Sequence, residues 1–247
     1  VSMAKEDWSL GAHQLQYIYE TEDGTSPGAQ KVIEEIKDGS LDLAEYDRLD
    51  QFLDMFDVLR EYNVAKGDPL GADYDEMAID LADGKTAFWF NGNWAWPNLE
   101  EAGAETEDEY GFLPYFMNND TEDFVNSKIQ ASPSKQVMID GQVADEKQQA
   151  AAKEFLNWIV YSEIGQQMIV KTANLIPPFQ NNPCEPTDPL SRDIYNKAHE
   201  GQTFNASAIV PNDHWAVLGA SMQKYLAGRS DREELTKDIE KYWAEQK

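Results

Sequence analysis

Cysteine, histidine and basic side chains are scarce in this 247-residue sequence, and each shortage closes off a class of function. Cys184 is the one cysteine, so the chain has no internal disulfide and no thiolate set for zinc. It sits in the run Asn181–Pro189 and reads as a small loop residue. The three histidines, His13, His199 and His214, do not share the spacing of a metal site. No H-E-x-x-H, G-x-S-x-G or phosphate-loop pattern occurs. Neither a cofactor nor a metal is expected. No apolar run approaches the roughly 18 residues of a membrane span, and there is no internal repeat or low-complexity tract.

The shortage of positive charge is the largest. Twenty Lys and Arg stand against 46 Asp and Glu, a net charge of −26. Such a surface repels phosphate backbones and anionic lipid, which excludes nucleic acid as a partner. It leaves a neutral ligand open and keeps a secreted protein soluble. The opening residues, Val-Ser-Met-Ala-Lys-Glu-Asp-Trp, lack the basic start and apolar core of a secretion signal. That fits a cytoplasmic protein or a chain without its native N-terminus; the resemblance below favours the second.

What is present is a globular composition, 41% apolar and 27% charged. At this length a compact chain buries roughly 70–75% of its unfolded surface. Leu49, Phe52, Leu53, Phe56 and Leu59 recur at helical spacing and mark one apolar face. Asp145 with Gln148 forms a capping-box pattern that opens a helix expected to run through Phe155, Trp158 and Ile159 to Ile169. Ser230 with Glu233 opens another, through Leu235, Ile239, Tyr242 and Trp243. Strands are expected at Thr86–Phe90, between Asp83-Gly84 and Asn91-Gly92, and at Tyr110–Phe116 and Val137–Ile139. Helices interleaved with strands imply an α/β layered domain.

The stretch Asp83–Leu99, DGKTAFWFNGNWAWPNL, combines a turn, a short apolar strand, an Asn-Gly turn and a helix start with Pro97 in its first turn. Trp94 falls at the strand-to-helix junction, where open α/β folds bind ligands. A tryptophan near a helix start is more often packing, and the junction alone leaves both readings open.

Five segments, in order, resemble the extracellular solute-binding proteins related to the maltose-binding protein: Phe90–Leu99, Tyr110–Tyr115 (YGFLPY), Ala150–Ile169, Asn174–Pro178 (NLIPP), and Asp213-His214-Trp215 before a helix over Ala216–Leu226. The resemblance implies a periplasmic-binding-protein-like (type II) α/β fold, a mixed sheet flanked by helices. It implies that residues 1–120 and 174–247 form the C-terminal lobe. Residues 121–173 would be a late segment of an incomplete first lobe whose remainder lies outside this sequence. It further implies an extracellular or periplasmic protein, a monomer anchored as a lipoprotein through a missing N-terminus. Such a protein is no enzyme; it binds a carbohydrate, an oligosaccharide, in an interlobe cleft and delivers it to the permease subunits of an ABC importer.

On the resemblance, Trp94 and Trp215 are sugar-stacking platforms. Met3–Leu10 (MAKEDWSL) resembles a cleft-lining loop, with Trp8 and Asp7 replacing the family's acid and tyrosine, so maltose itself is not implied. Asn93, Asp213 and His214 are candidate hydroxyl partners, while Trp96, Trp158 and Trp243 read as packing. Indoles cover the C–H face of a pyranose and polar side chains satisfy its hydroxyl rim, since a desolvated hydroxyl without a partner is costly. The alternatives are a polyamine or other small solute in the same fold, or a glycoside hydrolase-related module, whose paired carboxylates arise by chance among 46 acids.

Overall fold

The computed structural model describes residues 1–133 and 136–246. The chain divides into two compact units: residues 1–104, 113–130 and 203–247 form the first, and residues 105–112 and 131–202 the second.

Helices dominate both units. In chain order they are α1 (Tyr17–Glu20), α2 (Ser26–Asp38), α3 (Asp47–Glu61), α4 (Tyr74–Ala82), α5 (Trp96–Glu101), α6 (Glu146–Tyr161), α7 (Glu163–Gln167), α8 (Pro189–His199), α9 (His214–Leu226) and α10 (Arg232–Glu245). Strands β1 (Ile129–Gln130) and β2 (Thr203–Phe204) pair in parallel, Ile129 opposite Thr203 and Gln130 opposite Phe204. Among the described residues this two-stranded ladder and two isolated bridges are all the sheet there is, in place of the expected mixed sheet.

In the first unit, α3 follows its apolar period: Leu49, Phe52, Leu53 and Phe56 are buried. They meet Val32, Ile33 and Ile36 of α2, and Leu235, Ile239, Tyr242 and Trp243 of α10, in one core. Local signals set the helix ends. The Thr25 side chain accepts the Gly28 N–H at the start of α2, and Gly39, in the left-handed region, ends it. α10 is capped by Asp231, which accepts the Glu234 N–H, so the cap lies one residue beyond the Ser230 pattern. Arg232 reaches from α10 to Asp57 on α3 at 2.7 Å, and the Tyr225 hydroxyl of α9 donates to the same carboxylate at 2.8 Å. One carboxylate thus ties three helices together.

The expected strands resolve differently. Trp89 makes a single parallel bridge with Ser2, whose backbone donates to Phe88 at 2.8 Å and accepts from Phe90 at 3.3 Å. Tyr110–Phe116 is not a strand. The Asp193 carboxylate accepts the Phe112 N–H in the second unit, and Asn126 accepts the neighbouring Met117 N–H in the first. Val137–Ile139 is irregular, with Val137 and Met138 exposed.

In the second unit, Asp145 and Gln148 form the expected capping box at the start of α6. The helix stops at Tyr161 rather than running to Ile169. Ser162 is extended there and its hydroxyl caps α7 by accepting the Gly165 N–H, which restarts the chain as a new helix. A π-helical turn over Met168–Thr172 follows. α6 buries none of its residues. Trp158, read from its spacing as packing, is 39% exposed and stacks on Phe155, itself exposed.

Candidate functional site

The first unit presents an aromatic face assembled from four segments. A π-helical turn, Ser9–Gln14, carries His13 and follows directly on Asp7 and Trp8. The start of α4 supplies Tyr74, the bridge residue Trp89 follows, and a 3-10 turn, Asn93–Ala95, supplies Trp94. The rings form a run. Tyr74 lies 4.9 Å from Trp89 and 6.1 Å from Trp8, Trp8 lies 5.5 Å edge-on to His13, and His13 lies 4.8 Å from Trp94 at an interplanar angle of 32°.

Trp94 is 47% exposed and Trp215 41% exposed. Neither indole is in the core, whereas Trp96 and Trp243 are buried as expected of packing residues. The turn Ser9–Gln14 meets the Trp94 ring and the Trp215 backbone. His13 touches the Trp94 ring, and Gly11 lies so close to the start of α9 that a Cβ there would fall 2.3 Å from the Trp215 carbonyl oxygen. Gly219 answers from α9, where a Cβ would fall 2.5 Å from the Asp7 carbonyl oxygen. Two glycines therefore let the Asp7–Gln14 segment lie directly on α9, next to the backbone of Trp215.

Hydrogen bonds fix the Asn91–Gly92 turn beneath Trp94. The Asn91 amide donates to the Tyr74 hydroxyl at 2.9 Å, and its carbonyl oxygen accepts the Gly92 N–H at 2.9 Å. A Cβ at Gly92 would fall 2.2 Å from the six-membered ring of Trp94, so the indole rests on the bare glycine. Burial pushes the pKa of the Tyr74 hydroxyl up, and the neighbouring Asn91 and Trp94 side chains draw it partly back. Asn93 is half-buried in the turn. Asp7 is half-buried, and its carboxylate accepts the Trp8 N–H at 2.8 Å.

One expected residue, His214, lies in the core. His214 is fully buried, with rings of Tyr19, Tyr242 and Trp243 within 5.8 Å and its Nε2 3.3 Å from the Tyr19 hydroxyl. Burial lowers its pKa to about 4 against the pull of the Asp213 carboxylate. It belongs to the core and is no surface hydroxyl partner. Asp213 is exposed, yet its carboxylate is engaged by the Tyr242 hydroxyl at 2.9 Å. Conversely, His13 and Tyr74 were not singled out in the sequence. No local pattern joins Tyr74 to Asn91, 17 residues on.

The second unit has a polar pocket of about 470 Å³ between Thr106–Tyr110 and the start of α8. Its arginine, Arg192, already donates to the Thr106 and Thr187 carbonyls. No aromatic platform lines it beyond Tyr110. Among the described residues no cluster of His, Cys, Asp and Glu could hold a metal, and no helix is long and apolar enough to cross a membrane.

The chain belongs to the bacterial extracellular solute-binding proteins, whose family sequence model matches residues 4–198. Membership makes it a protein that binds a ligand for transport and works with a transporter, in a family that is typically non-enzymatic and fits an extracellular or periplasmic location. The matched span contains Asp7, Trp8, Asn93 and Trp94; Trp215 lies beyond it. No curated protein and no solved structure matches the chain.

Proposed function

We propose that the transported solute is a carbohydrate, an oligosaccharide, bound on the aromatic face of the first unit and handed to the permease of an ABC importer by a monomeric, lipid-anchored protein. The observation that carries this reading is the pair of half-exposed indoles, Trp94 and Trp215; the Ser9–Gln14 turn touches the ring of the first and the backbone of the second. A solvent-facing indole suits the C–H face of a pyranose, and the half-buried Asp7 and Asn93 are the polar side chains proposed for its hydroxyls. A micromolar complex needs about 8 kcal/mol, within reach of two stacked rings and several hydrogen bonds.

The same face favours a second reading. Aromatic rings with Asp7 beside them, and a Glu6 carboxylate oxygen that is buried without a partner, also suit an ammonium group through cation–π attraction. A polyamine is therefore the alternative. Calorimetric titration of the full-length protein with a panel of neutral oligosaccharides and with spermidine separates the two. Saturable heat from a sugar and none from spermidine is expected; heat from spermidine alone would replace the carbohydrate reading.

For the second unit, the proposal is that it belongs to a lobe completed by further chain. The apolar side chains it leaves exposed, among them Phe155, Trp158, Tyr161 and Ile164, favour that reading.

A further inference from the structure

The orientation of an exposed ring is a liability, because a half-solvated indole has alternative rotamers and ordering one of them costs entropy. A stacking platform that is already fixed avoids that cost on binding. Around Trp94 the fixing elements form a chain of contacts. The Tyr74 hydroxyl accepts from Asn91 Nδ2 at 2.9 Å, Asn91 Oδ1 accepts the Gly92 N–H at 2.9 Å, and the Trp94 ring lies on Gly92 where no Cβ would fit. Tyr74 is itself held, being packed against Trp89 and Trp8 at the first turn of α4, whose start Asp73 caps.

We infer that Tyr74 is a positioning residue for the Trp94 platform, acting through the Asn91 side chain and the Asn91–Gly92 turn. The ligand role of Trp94 rests on the proposed function, whereas the positioning role is a property of the protein alone. Tyr74 thereby couples the start of α4 to the ring that meets the solute. His13 bounds the ring from another side, leaving Trp94 a defined place instead of a range of rotamers.

The test needs no ligand. Seven tryptophans give seven indole N–H resonances in a ¹⁵N-edited proton spectrum, and the one missing from Trp94→Phe is Trp94. In Tyr74→Phe, which removes one oxygen and keeps the ring, that resonance is expected to move upfield toward a water-exposed indole while those of Trp96 and Trp243 stay in place. Gly92→Ala, which pushes a methyl into the indole, should displace the same resonance with the fold intact. A Trp94 resonance that moves in Gly92→Ala but stays in place in Tyr74→Phe, or that moves in neither, overturns the inference.

A second arm uses maltotriose and cellotriose by calorimetry. Tyr74→Phe should weaken whichever trisaccharide binds about fivefold, the worth of one neutral hydrogen bond, and should add no loss in a Trp94→Ala background. Additive losses would overturn the coupling. If the resonance moves but Trp94→Ala binds both trisaccharides as well as the parent does, Tyr74 still positions Trp94 and it is the ligand reading that fails.

Discussion

His214 gives a pH dependence whose sign and size follow from its surroundings. The side chain is fully buried and its pKa is lowered from 6.5 to about 4, chiefly because burial penalises the imidazolium. The folded state therefore prefers neutral histidine more strongly than the unfolded chain does. The stability this contributes is fully present above pH 6.5 and is lost as pH falls from there toward 4. At about 1.4 kcal/mol per pKa unit, the loss is about 3 kcal/mol, a large share of a typical domain's stability. Other carboxylates titrate in the same range, so the quantity to measure is a difference. Urea unfolding at pH 8, 7, 6, 5 and 4.5, followed by far-ultraviolet circular dichroism, would be compared between the wild type and His214→Phe. The wild type's advantage should shrink by roughly 3 kcal/mol from pH 8 to 4.5. Two stability curves that stay parallel would show that the imidazole is solvated or moves out on protonation, and the reasoning would fail.

Glu20 should act in the opposite direction. Its carboxylate accepts the Ala208 N–H at 2.8 Å and a Gln130 amide hydrogen at 2.6 Å, yet burial outweighs both and raises its pKa from 4.5 to about 7. Its contribution is present below pH 4.5 and lost as pH rises toward 7, so in the same unfolding series Glu20→Gln should gain on the wild type by up to about 3 kcal/mol across that window; curves of equal slope would refute this. Gly219→Ala places a methyl 2.5 Å from the Asp7 backbone oxygen, which has no side-chain freedom to yield. A loss of about 1–3 kcal/mol is expected by chemical denaturation, against less than about 0.5 kcal/mol for Gly141→Ala, where the space is open. Equal stability of the two variants would show that the Asp7–Gln14 segment does not rest on α9 as described.

The helices were legible where period and cap agree. α3 shows its apolar face at every third or fourth position, and Asp145 with Gln148 marks the start of α6. Periodicity says which residues share a face but not whether anything covers it, which is why Trp158 read as packing and is exposed. The break at Ser162 was hidden because its hydroxyl caps the next helix within an otherwise continuous apolar pattern. The expected strands had suitable residues, but pairing is a long-range property. Among the described residues, Thr86–Phe90 makes a sheet bridge only to Ser2.

The resemblance singled out Trp94 and Trp215, whose indoles are half-exposed, while His214 was misplaced by its neighbour. Successive helical residues point about 100° apart, so Trp215 faces solvent and His214 the core. The Tyr74–Asn91 contact spans 17 residues between different elements, and no local spacing encodes it.

The claim on which the account turns is that Trp94 and Trp215 meet the transported solute. Calorimetry of the neutral oligosaccharide that binds the full-length protein most tightly, repeated on Trp94→Ala and Trp215→Ala, tests it directly. Each substitution should weaken binding at least tenfold, about 1.4 kcal/mol, with little change in melting temperature, because neither ring is part of the core. Parent-like affinity in both variants would contradict the account.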